Sequence, residues 1–69
     1  MESIMRIRKA RGLTRNDLAR LIGVDRETIA RYERGTREPK ASVVGQLAAA
    51  LGVTPNELLG VSDEKSPGE

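Results

Sequence analysis

The sequence predicts an all-α domain of five short helices, and three observations carry the prediction. Five of the seven glycines (Gly12, Gly23, Gly35, Gly52 and Gly60) each follow a segment whose apolar residues recur at helical spacing. Thr14, Asp25 and Thr54 stand where helix N-caps belong. The third is composition. With 38% hydrophobic residues, a single aromatic and neither Trp nor Phe, the core must come from Leu, Ile, Val, Ala and Met, which suits close-packed short helices. At 69 residues, one small domain is the limit.

The first helix is expected over residues 2 to 11, with Ile4, Met5, Ile7 and Ala10 at helical spacing, Arg11 in the last turn and Gly12 as the stop. Thr14-Arg15-Asn16-Asp17 opens the second helix. The Thr14 hydroxyl can accept a first-turn N–H and Asp17 can return the bond, although Asp is shorter than the usual Glu or Gln. Leu18, Ala19 and Ile22 form its inward stripe, and Gly23 ends it. Asp25 caps the third helix, so only Gly23 and Val24 lie between the two. A turn that tight makes the helices cross steeply, in helix-turn-helix geometry, and Ala19 is small where they approach.

The third helix, about residues 25 to 34, has an apolar stripe of Val24, Ile29 and Tyr32 and a second face of Arg26, Glu27, Ala30 and Arg31, stopped by Gly35. Residues 36–40 form a polar linker in which Pro39 excludes helix from its predecessor. The fourth helix runs from Ala41 to Leu51, with Val44, Leu47, Ala48 and Leu51 inward. Gly45 is a local defect there, for which close helix packing is the expected reason. Thr54-Pro55-Asn56-Glu57 is a strong helix start, and a brief fifth helix contributes Leu58 and Leu59 before Gly60. The folded domain is expected over residues 1–61. Residues 62–69 are expected to form a disordered polar tail or the start of a linker.

Composition also bounds function. Without cysteine there is no disulfide or thiolate metal site, and without histidine the commonest metal ligand and general base is missing. No enzyme, metal or other cofactor is expected. The absence of a long apolar run or a signal peptide predicts a cytoplasmic protein with no membrane partner. The net charge of +2 hides an asymmetry: residues 6–40 hold eleven Lys or Arg against five acids, whereas residues 41–69 hold one Lys against four acids. A surface basic on one side attracts polyanions. An ordinary solvated Arg-rich face is the competing reading.

The run Arg8-Lys9-Ala10-Arg11-Gly12-Leu13-Thr14-Arg15-Asn16-Asp17-Leu18-Ala19 and its continuation to Pro39, with Leu47-Ala48-Ala49-Ala50-Leu51-Gly52-Val53-Thr54-Pro55, resembles the Cro and phage-repressor type (XRE-like) of helix-turn-helix transcriptional regulators. The resemblance covers about residues 4 to 60. It implies a lambda-repressor-like DNA-binding domain whose third helix enters the major groove while the second crosses the backbone. It further implies that Arg26, Glu27, Ala30 and Arg31 read bases, the arginines meeting guanine, Glu27 cytosine and Ala30 a thymine methyl. Glu27 could instead orient Arg31.

Thr14 (through its backbone N–H), Arg15, Arg34, Thr36 and Arg37 are implied phosphate contacts. Arg15 stands where this family often carries Gln, and for Arg37 a local pair with Glu38 is the alternative. Arg8 and Glu33 look like a structural ion pair, and Tyr32 like a core residue. The implied activity is regulation of transcription, as a repressor, by a homodimer on a near-palindromic double-stranded DNA site, with Leu59 and Val61 as the dimer contact. Burial of Leu59 in its own core is the alternative. The rival from another class is an antitoxin or protein-interaction module of the same fold, bound to a toxin or effector protein.

Overall fold

The computed structural model describes residues 1–60. Within them lie five helices: α1 Glu2–Ala10, α2 Arg15–Ile22, α3 Arg26–Arg34, α4 Ala41–Leu51 and α5 Pro55–Leu59, with no strand among the described residues. The expected polar tail and Val61 lie outside the described residues.

One contiguous core joins all five helices. Ile4 and Ile7 of α1, Leu18 and Ala19 of α2, Ile29 and Tyr32 of α3, Val44, Leu47, Ala48 and Leu51 of α4, and Leu58 of α5 are buried together. Such residues recur three or four apart because a helix with 3.6 residues per turn returns the same face to its neighbours at that interval. α2 packs against α3 and α4, and α1 lies across α3, α4 and α5. No described helix is long and apolar enough to cross a membrane.

Caps fix the ends of the elements. Asp17 N–H donates to the Thr14 hydroxyl at 3.0 Å and Thr14 N–H donates to the Asp17 carboxylate at 2.9 Å, so the shorter acid still closes a complete capping box. Those bonds also hold the Asp17 carboxyl below its usual range, the Thr14 backbone bond being the largest cause. Thr54 and Glu57 form the same box before α5. Between α2 and α3, Gly23 takes the left-handed conformation at φ 78°, which lets Val24 N–H reach back to Ala19 C=O at 3.0 Å. The chain therefore leaves α2 sharply and enters α3 through Asp25, whose carboxylate accepts Thr28 N–H at 2.8 Å.

Three local expectations are corrected. α1 ends at Ala10, and Ala10 is exposed because the buried face of α1 passes through Ile4, Ile7 and Arg8 instead. Gly45 does not mark a close approach of helices: a Cβ placed there meets nothing within 4 Å. Of the two readings of Leu59, it is the alternative of burial in the core that fails: Leu59 is 50% exposed, and it is Leu58 that α5 buries. Arg11 has a role that its own helix does not suggest. Its Nε donates to Leu51 C=O at 2.7 Å, satisfying a carbonyl at the C-terminal end of α4.

Candidate nucleic-acid interface

The local sequence gives α3 two flanks of different character. Ile29 is fully buried and Tyr32 nearly so, which pins one flank to the core. Arg26, Glu27, Arg31 and Arg34 are all exposed on the remainder. Arg26 has no hydrogen bond or ion pair among the described residues, so its guanidinium is available to a ligand. Arg31 is held loosely: its Nε lies 3.6 Å from Glu27 Oε2, and its side chain stays half exposed. Glu27 also receives a hydrogen bond from Arg34 Nη2 at 3.2 Å. It therefore stands between two arginines, as an orienter would.

Ala30 is a correction. Expected beside the arginines on the open face, it is 2% exposed and so offers no methyl to a base. By helical angle Ala30 lies between Arg26 and Arg31, so its burial follows from its size: a short side chain at the border of the packed face does not reach past its longer neighbours.

The phosphate candidates divide. Thr14 N–H is engaged by Asp17 in the capping box and is not free to meet a phosphate, which corrects that expectation. The N–H groups of the next two residues, Arg15 and Asn16, are the ones that helix geometry leaves without an intrahelical acceptor at this positive end of α2. Thr36 is exposed and closes the end of α3, donating N–H to Arg31 C=O at 3.1 Å and pointing its hydroxyl at the same carbonyl. Arg37 is exposed, and among the described residues no ion pair joins it to Glu38. It borders a cleft with Tyr32, Lys40 and Val43.

Arg15 has a second partner that its sequence neighbours do not indicate. Its Nε donates to Glu33 Oε1 at 2.9 Å. Arg8 meets the same carboxylate through Nε at 2.7 Å and Nη2 at 3.3 Å, and its Nη1 donates to Leu13 C=O. The Arg8–Glu33 contact is thus present, but as part of a three-residue cluster in which the Glu33 side chain is only 2% exposed. Burial alone would raise the Glu33 pKa; the hydrogen bonds and charges of Arg8 and Arg15 outweigh it and hold the carboxyl below its ordinary value.

An open cleft of about 430 Å³ lies where the end of α1 meets the starts of α2 and α3, lined among others by Lys9, Thr14, Arg15, Asn16 and Arg26. It brings together four cationic side chains from three helices: Arg8 and Lys9 of α1, Arg15 of α2 and Arg26 of α3. Lys9 and Asn16 were not singled out from the sequence; only the position of Asn16 in the first turn of α2 hinted at them. No group of three or more acids, His or Cys that could hold a metal ion occurs among the described residues. What the surface presents is positive charge around a helix N-terminus and along the front of an adjacent helix, which suits a polyanion.

Comparison with known proteins gives this geometry a family. A helix-turn-helix domain model matches residues 4–58. The chain is 36% identical over 59 residues to an uncharacterized HTH-type transcriptional regulator of Sinorhizobium fredii, covering 86% of this chain and 77% of that protein. It is 39% identical over 57 residues to an HTH-type transcriptional regulator of Methanothermobacter thermautotrophicus, covering 83% of each. Over 57 residues it is also 39% identical to the cryptic phage CTXphi transcriptional repressor RstR of Vibrio cholerae, where 83% of this chain spans 51% of the repressor. With a tight Gly-centred turn between α2 and α3, a matching model over nearly all the described residues and relatives of this kind, the chain belongs to the helix-turn-helix family of DNA-binding transcriptional regulators.

Proposed function

We propose that this protein regulates transcription, as a repressor, by binding double-stranded DNA with α3 in the major groove. The observation that carries the reading is the outward placement of Arg26 and Arg31 on a helix whose other flank is locked by Ile29. Guanidinium groups match guanine O6 and N7, so a site with G·C pairs is expected. Glu27 acts on this surface chiefly by orienting Arg31 and Arg34. Arg15, Arg34, Thr36 and Arg37 flank α3 and meet the phosphates on either side of the groove.

So small a surface makes few contacts, and specific affinity calls for two copies. A homodimer sets two α3 helices roughly 34 Å apart, one duplex turn, on a near-palindromic operator. The half-exposed Leu59 of α5 is the apolar residue we assign to that contact. Occupancy of the operator then blocks transcription without any chemistry.

Selection of binding sites from a random duplex pool tests the reading. A symmetric motif containing guanines at a fixed half-site spacing is the expected outcome. Enrichment of no motif would refute sequence-selective binding. A symmetric motif without guanines would remove Arg26 and Arg31 from the role given them.

A further inference from the structure

Resting on the DNA-binding reading above, we propose that the buried Glu33 is a positioning residue for phosphate recognition: it grips Arg15 by the Nε edge and aims the rest of that guanidinium into the cleft at the start of α2. Three observations lead there. Arg8 alone neutralises Glu33, and does so through two nitrogens, at 2.7 and 3.3 Å. A structural pair needs nothing more, yet Arg15 Nε adds a third bond at 2.9 Å to the same carboxylate. The cluster therefore carries one positive charge in excess, and that charge belongs to its outermost member.

Exposure makes the same distinction. The Arg8 side chain is 8% exposed and that of Arg15 is 33%, so the second arginine reaches water while its inner edge is tied down. Neither terminal nitrogen of Arg15 has a hydrogen-bond partner among the described residues. The third observation is the surroundings: Arg15 borders the cleft that Lys9, Asn16 and Arg26 also line. A guanidinium offers five donors in a rigid fork, so fixing the Nε edge leaves the terminal donors pre-aimed and reduces the side-chain entropy lost when an anion binds. Glu33 never touches the phosphate; it acts through Arg15.

The role can be separated from plain charge and from plain stability. Affinity of the full chain for a short, mixed-sequence, fluorophore-labelled duplex is measured by anisotropy across a salt series, because such a probe reports mainly phosphate contacts. Arg15→Lys keeps the charge but loses the fork, and Arg8 still neutralises Glu33, so the fold is retained. We expect Arg15→Lys to lose about tenfold in affinity at low salt, close to the loss for Arg15→Ala. Wild-type affinity for Arg15→Lys would overturn the proposal, since charge alone would then suffice.

Glu33→Gln supplies the second readout, on protein shown to be folded by circular dichroism. Removing a negative charge from a DNA-binding protein should by itself raise affinity; loss of positioning lowers it, and the loss vanishes when Arg15→Ala is already present. An increase, or no change, would overturn the proposal. If the wild-type chain fails to bind the duplex at all, the DNA-binding reading falls together with this one. Wild-type binding with an unaffected Arg15→Lys removes the positioning role alone.

Discussion

Glu33 and Glu27 both lie on α3 and both stand between two arginines, but one group is inside the domain and the other on its surface. Around Glu33 the contacts reach 2.7 Å and the carboxylate is almost wholly removed from water. Around Glu27 they are 3.2 and 3.6 Å, and all three side chains are about half exposed. The same chemistry therefore serves two ends. The cluster ties three helices together, and neither Glu33 nor Arg8, the two buried members, can be left unpaired without a large desolvation penalty. Charges paired loosely in water hold little, and for that reason can be given up to a ligand.

The largest effect that should separate the two is on folding. Arg8→Ala leaves Glu33 buried with only the half-open Arg15, and we expect it to cost about 3 to 5 kcal/mol in urea unfolding, a large part of the stability of so small a domain. A cost under about 1 kcal/mol would put the buried cluster on the same footing as a surface pair.

Acid should act on the same cluster. The Glu33 carboxyl is held below its ordinary value near 4.5, so the unfolded chain takes up its proton more readily than the folded one. Its contribution is fully present above about pH 4.5 and is lost as pH falls through the lower folded-state value. Unfolding midpoints of the wild type and Glu33→Gln, compared down the acid range, should converge. Parallel curves would mean that another acid governs.

On the exposed side the expected effects concern recognition. Arg31→Ala should cost about 1 to 3 kcal/mol at one or two base pairs of a selected site, relaxing the preference there, while Arg37→Ala weakens all sequences alike. Equal loss on every sequence from both substitutions would erase the division between base and phosphate contacts.

How far this contrast could be read from the sequence depends on the range of the interactions. All five helices were placed by their caps, glycines and apolar spacing, since those signals act within a few residues. Arg8 and Glu33 were paired through the family resemblance. The Arg15–Glu33 contact was missed because it joins two helices and has no local pattern; so was the reach of Arg11 to Leu51. Ala30 was misplaced by a different limit: helical angle alone does not say how wide the buried arc is, and a small side chain at its border disappears beneath longer neighbours.

Gly45 was misread for want of a third dimension. With open space at its Cβ position, Gly45→Ala should raise stability by about 1 kcal/mol, which also supplies a firmer background for measuring Arg8→Ala. A loss of stability in thermal melts would mean that α4 meets something at that face, such as a second copy.

The smallest folding effect should come from Glu27→Gln. Two exposed pairs are lost, at roughly 0.2 to 1 kcal/mol each, and screening by salt reduces even that. The informative readout is binding. Glu27 sets the direction of Arg31 and Arg34 and places a negative charge on a face meant for a polyanion. Its removal should strengthen binding to mixed-sequence duplex and weaken the preference for the selected site, so the ratio of the two affinities falls while stability barely changes. If both affinities rise together, Glu27 is only a repulsive charge. If the selected site alone weakens at every cytosine position, Glu27 reads a base directly, and the surface group is part of the recognition code instead of its support.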